Sequence, residues 1–130
     1  MSQSEPLIAV VDDDESVCSA LDRLLHSLGM NAQTFASGGE FLAFIDEIPS
    51  FHPDCLVLDL HMPGMSGLAV QERLAKEGNS IPIIFITAHD EVDARDRALQ
   101  RGAVAFLRKP FSIEALMDAL NKAAHKRSGK

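Results

Sequence analysis

CLVLDLHMPGMSG, residues 55–67, is an apolar run that stops at an acid and then breaks into turn chemistry. Four consecutive apolar residues, Cys55 to Leu58, read as a strand covered on both faces. Pro53 and Asp54 lead into it and Asp59 closes it. Beyond Asp59, Pro63, Gly64 and Gly67 punctuate a tight connection. The same grammar recurs on either side. LIAVV (7–11) ends abruptly in Asp12, Asp13, Asp14 and Glu15. IPIIFI (81–86) ends at Thr87, and Pro82 is tolerable so near a strand start. AVAFL (103–107), shorter and less apolar, leads to Lys109 and Pro110. NAQTFA (31–36) reads as another short strand.

Between these runs the period changes to that of a helix. Val17, Ala20, Leu21, Leu24, Leu25 and Leu28 recur at helical spacing, and Gly29 stops them. Ser37 reads as an N-cap, with Glu40 completing a capping box, and Pro49 ends that helix. A third helix runs to Lys76, closed by Gly78 and Asn79. The fourth, from Glu91 to Arg101, is strongly charged and closed by Gly102. Ser112 caps the fifth, which carries Leu116, Met117 and Leu120 on one face. Strand then helix, repeated along the chain, predicts an α/β fold: a five-stranded parallel sheet with helices on both faces and right-handed crossovers.

The 130 residues suffice for one domain with a single core. Hydrophobic residues at 46% and charged residues at 24% are those of a globular chain. The formal charge of −7 argues against a nucleic-acid footprint. The basic end (Lys122, Lys126, Arg127, Lys130) reads as a solvated helix terminus, favourable against the helix dipole. Cys18 and Cys55 have no metal-knuckle or CxxC spacing, so free thiols in a reducing compartment are expected. The polar start lacks the basic region of a signal peptide, and no apolar run reaches the length of a membrane span. A cytoplasmic location without membrane contact is expected.

In an open parallel sheet, ligands bind beyond the carboxyl ends of the strands. Here those ends deliver Asp12 and Asp13, Asp59, Thr87 and Lys109. Three carboxylates brought together repel one another and are comfortable only with a cation among them. All-oxygen ligands suit a hard ion such as Mg2+. A cation, an amine and a hydroxyl around one carboxylate are the parts that stabilise phosphoryl transfer to it. Taken singly, the acids could be turn residues, Lys109 a surface lysine and Thr87 an N-cap. Asp14 and Glu15 are assigned to the first turn of their helix.

These residues lie in four stretches, VVDDDESV (10–17), CLVLDLHMPGMSGL (55–68), IIFITAH (83–89) and FLRKPF (106–111). In that order and spacing the chain resembles a bacterial two-component response regulator receiver domain, over roughly residues 7–124. The resemblance implies the flavodoxin/CheY-like doubly wound (βα)5 fold with strand order 2-1-3-4-5. It implies a receiver domain over residues 1–126 and a tail or the start of a linker over 127–130. Asp59 matches the phosphorylated aspartate. Asp12 and Asp13 match the acidic pair that holds Mg2+, for which Mn2+ can substitute, and the backbone carbonyl of His61 matches a further ligand. Thr87 matches the switch hydroxyl, Lys109 the lysine that bridges to the phosphoryl group, and Phe106 the switch aromatic, here without a hydroxyl. The Lys109–Pro110 bond is expected to be cis.

The implied reaction takes a phosphoryl group from a phosphohistidine of a sensor histidine kinase, followed by slow autodephosphorylation. The domain is thus expected to be a signalling switch that catalyses only its own phosphorylation and dephosphorylation. His61 and His89 lie two residues beyond Asp59 and Thr87. They read either as solvated rim residues or as groups that tune the lifetime of the phosphorylated state in a pH-sensitive way. The kinase is expected near the first helix, around Ser16 to Leu24. The fourth helix, fifth strand and fifth helix, from Asp90 to Lys122, are expected to form an output or homodimer surface. The wording HMPGMSGL and TAHDEVDARDRALQRGAVAF resembles most the receivers of regulators with a LuxR-type helix-turn-helix output domain. Such a DNA-binding domain is absent from this chain, which reads either as a single-domain regulator or as an excised receiver, and no direct nucleic-acid contact is expected from the receiver itself.

Three other classes fit less well. A flavodoxin-like electron carrier would need a Ser/Thr-rich phosphate loop where this chain has four acids. A haloacid-dehalogenase phosphatase would match the spacing of Asp12 and Asp14 but leave Asp59 and Lys109 unused. A pseudo-receiver, acting only as an interaction module, would not need the full acidic, threonine and lysine set.

Overall fold

The computed structural model describes residues 5–89 and 91–129; Asp90, expected on the output surface, lies outside the described residues. Five strands alternate with five helices: β1 (Leu7–Val11), α1 (Glu15–Ser27), β2 (Asn31–Phe35), α2 (Gly38–Glu47), β3 (Cys55–Asp59), α3 (Gly67–Lys76), β4 (Ile83–Thr87), α4 (Val92–Gln100), β5 (Ala105–Arg108) and α5 (Ile113–Gly129). The strands form one sheet in the order β2-β1-β3-β4-β5. Every pair is parallel. This is the doubly wound architecture that the sequence predicts.

The apolar runs explain the order. β3 and β4 are buried at every position and occupy the interior of the sheet. β2 is exposed at most positions and β5 nowhere fully buried, as edge strands permit. Successive side chains leave opposite faces. Ala9, Val11, Leu56, Leu58 and Phe85 pack with Phe41 of α2, Val70 and Leu74 of α3, and Ala98 of α4. Ile8, Val10, Val57, Ile84 and Ile86 pack with Leu21 and Leu25 of α1 and with Leu116, Ala119 and Ala123 of α5. Three layers result, with α1 and α5 on one side and α2, α3 and α4 on the other.

Boundaries differ from the sequence reading where backbone donors decide. β4 begins at Ile83, since Pro82 has no N–H to give, although its carbonyl still accepts from Leu56 N at 2.9 Å. β5 is displaced toward the carboxyl end and includes Arg108. Helix α5 runs through Gly129, so the tail or linker start expected from residue 127 lies within a helical segment. No described helix is long and apolar enough to cross a membrane.

Candidate functional site

The register places the polar strand ends side by side. Val11 pairs with Leu58, and Asp59 pairs with Ile86. Asp12 therefore leaves β1 beside the end of β3, and Thr87 leaves β4 one step further along. Asp12, Asp13 and Asp59 each offer a carboxylate oxygen within 4.8 Å of the other two. Asp12 and Asp59 are buried and Asp13 is exposed. Lys109, after β5, crosses the sheet end: its Nζ donates to Asp12 Oδ2 at 2.9 Å and lies 3.6 Å from Asp59 Oδ1.

Local structure holds each group. Asp12 Oδ1 accepts from Asp14 N at 2.8 Å, which fixes the turn after β1. Asp14 is the N-cap of α1, its carboxylate accepting from Ser16 N. Hydrogen bonds from the Ser16 hydroxyl and amide hold the Asp14 carboxyl below the usual carboxylate range. Asp59 is backed by Gly67, whose N–H donates to Leu60 O at 2.9 Å. A Cβ on Gly67 would lie 2.4 Å from the Asp59 carbonyl oxygen, so only glycine lets α3 start this close to β3. Lys109 N donates to Thr87 O at 2.7 Å, and the Lys109–Pro110 bond is cis. Thr87 is buried, with Oγ1 accepting from His89 N at 3.2 Å; it caps no helix.

Electrostatics matches an acid cluster short of positive charge. Burial pushes the Asp59 carboxyl up to about 6, and the charges of Asp12 and Asp13 push the same way against Lys109. Burial disfavours the charge on Lys109, yet its hydrogen bond and proximity to Asp12, and then Asp59, hold its pKa above the usual lysine value. Lys109 balances one charge of a three-carboxylate cluster. An all-oxygen donor set with surplus negative charge fits a hard divalent cation such as Mg2+.

The remaining candidates lie around this centre. His61 is exposed on the β3–α3 connection, its Nε2 in hydrogen-bond contact with Glu91 Oε2. Its ring meets that of His89 edge-on, with centroids 5.5 Å apart. Phe106 is half-buried on β5, its ring 6.1 Å from that of Phe85. It lines a cavity of about 80 Å3 together with His89, Glu91, Val92 and Arg95. Glu91 was missed from sequence: it stands 30 residues from His61 and no local pattern joins them.

Known proteins agree with this geometry. The family model of the response regulator receiver domain matches residues 8–121. The response regulator protein TmoT of Ectopseudomonas mendocina is 41% identical over 123 residues, which are 95% of this chain and 54% of that protein. The DNA-binding transcriptional regulator NtrC of Klebsiella pneumoniae is 39% identical over 114 residues, covering 88% of this chain and 24% of that protein. A crystal structure of a response regulator receiver protein from Burkholderia phymatum superposes with a TM-score of 0.83 at 48% identity, covering 92% of this chain and 95% of that one. The chain spans about half the length, or less, of these curated relatives. It belongs to the response regulator receiver domain family, the signalling switches of two-component systems.

Proposed function

We propose that this domain takes a phosphoryl group onto Asp59 from a phosphohistidine of a sensor histidine kinase, in a Mg2+-dependent reaction, and loses it slowly by hydrolysis. One observation carries the reading: Asp59 is buried at the end of a central strand, among Asp12, Asp13 and Lys109. A carboxylate oxygen of Asp59 forms the new bond to phosphorus, and the phosphorus–nitrogen bond of the donor breaks. Mg2+ bound by Asp12, Asp13, Asp59 and the His61 carbonyl supplies positive charge to the phosphoryl oxygens, and Mn2+ can replace it. Lys109 turns from Asp12 to a phosphoryl oxygen. The Thr87 hydroxyl donates to another, and Phe106 repacks toward the space that Thr87 leaves. His61 and His89, at the rim, tune the lifetime of the acyl phosphate.

The kinase docks on α1, beside an apolar groove of about 660 Å3 lined by Val17, Leu21, Leu24, Pro110 and Phe111. Exposed apolar residues on α4 and α5 (Val92, Leu99, Ile113, Met117) serve a homodimer or output contact on phosphorylation. The receiver spans residues 1–126, with the linker beginning near 127. The whole protein is a cytoplasmic regulator of transcription, whose LuxR-type output domain follows and makes the DNA contacts. The names of longer relatives, TmoT and NtrC, support a regulatory output.

The test is intact mass after incubation with acetyl phosphate and Mg2+. The expected result is a gain of one phosphoryl group, absent with EDTA and absent in Asp59→Asn. A gain that survives both controls would overturn the assignment.

A further inference from the structure

The five helices do not use their N-caps alike. Asp14, Ser37, Ser66 and Ser112 each accept from an amide in the first turn of their own helix. Glu91, the N-cap of α4, makes no such bond. Its carboxylate instead meets His61 Nε2, and the His61 ring packs edge-on against that of His89, whose backbone N–H donates to Thr87 Oγ1. Either the neutral Nε2–H tautomer or the imidazolium supplies the donor, so the contact does not depend on the charge of His61. At its other end α4 is held by Ala98, its one buried residue, whose carbonyl accepts from Gln71 Nε2 at 3.1 Å. At the amino end of α4, Ala94 packs on the core and Glu91 reaches His61, whose ring also meets that of His89.

We propose that Glu91 is a positioning residue for the phosphoryl chemistry: by hydrogen-bonding His61 it keeps the imidazole over the mouth of the site and shields the acyl phosphate from water. The inference rests on the phosphoacceptor reading of Asp59. In the shielded reaction, a water oxygen bonds to phosphorus while the bond between phosphorus and the Asp59 oxygen breaks. The electron pair returns to the carboxylate, and orthophosphate and a proton leave. Glu91 touches none of the reacting atoms and acts only through where it holds His61. The same contact links the first turn of α4 to the β3–α3 connection.

The experiment is the rate of acyl-phosphate loss after removal of acetyl phosphate, followed by intact mass in Mg2+. Glu91→Ala is expected to hydrolyse about fivefold faster, the rate ratio of a hydrogen bond worth about 1 kcal/mol. Glu91→Gln keeps an acceptor and is expected to restore the slow rate. His61→Ala is expected to be as fast as Glu91→Ala, and the double variant no faster than either. Mg2+ affinity of the unphosphorylated protein, by calorimetry, is expected to stay within about twofold in Glu91→Ala. An unchanged rate in Glu91→Ala, a fast Glu91→Gln, additive effects in the double variant, or weakened Mg2+ binding would each overturn the proposal. No label on the wild type would overturn the phosphoacceptor reading itself, and this inference with it.

Discussion

Lys109 donates to Asp12 at 2.9 Å while standing 3.6 Å from Asp59. The lysine thus neutralises the neighbour of the central carboxylate more closely than the carboxylate itself. Without a metal, it is a cation in contact with two of the three acids. Lys109→Ala should lower stability by about 1–2 kcal/mol in EDTA at pH 7, since it leaves buried negative charge unpaired. Saturating Mg2+ should shrink that loss, because a bound cation restores the missing charge. Thermal melts of wild type and variant in both buffers check this; equal losses with and without Mg2+ would contradict it.

Asp59 carries the opposite expectation. Its folded-state pKa of about 6 lies above the ordinary carboxylate value of 3.8, mainly through burial. The folded protein therefore binds more protons than the unfolded chain between these values, and the contribution of Asp59 to stability falls as pH rises through that window. Asp59→Asn should be more stable than wild type at pH 7 in EDTA, by about 1–3 kcal/mol on the scale of 1.36 kcal/mol per pKa unit. The advantage should fade toward pH 4. With Mg2+ the order should reverse, since the variant loses a ligand. Urea titrations across pH check the sign, and a pH-independent difference in EDTA would refute it.

Gly67 supports the site from behind. A methyl group there would meet the Asp59 carbonyl oxygen at 2.4 Å and Leu60 Cα at 3.1 Å, both backbone atoms that cannot swing aside. Gly67→Ala should cost about 1–3 kcal/mol by overpacking. Gly39→Ala, where the nearest atom is Ser37 Oγ at 3.9 Å, should be neutral or stabilising by less than about 1 kcal/mol. Urea midpoints of the two variants give the comparison.

The two thiols should be inert in the native state. Both are buried; burial pushes the Cys55 thiol up to about 12, and burial with the Asp12 charge raises that of Cys18. Thiolate is the reactive form, so labelling by a disulfide reagent should proceed only at the rate of unfolding. Rapid native labelling of Cys55 would contradict the packing of β3.

Most of the fold was legible because its signals are local. Runs such as CLVL and IIFI are apolar throughout, and caps such as Ser37 with Glu40 lie within one turn. The strand ends were legible for the same reason, and topology alone then brings Asp12, Asp59, Thr87 and Lys109 together. Strand limits were less so, because they depend on which donors find partners, as at Pro82. Met62 read as part of a turn, yet it is buried in the core, as is Leu60 beside it on the β3–α3 connection. The links Lys109–Asp12, 97 residues apart, and His61–Glu91 exist only once the sheet has formed. The first could be anticipated from strand ends; the second could not, since neither partner ends a strand.

The most direct measurement is the position of the phosphoryl group. Acyl phosphates are reduced by borohydride, which converts a phosphorylated aspartate to homoserine, and peptide sequencing by mass spectrometry then reads the residue. After phosphorylation in Mg2+, homoserine is predicted at position 59 alone. Homoserine at position 12 or 13, or a phosphate that resists reduction because it sits on a hydroxyl or an imidazole, would contradict the account.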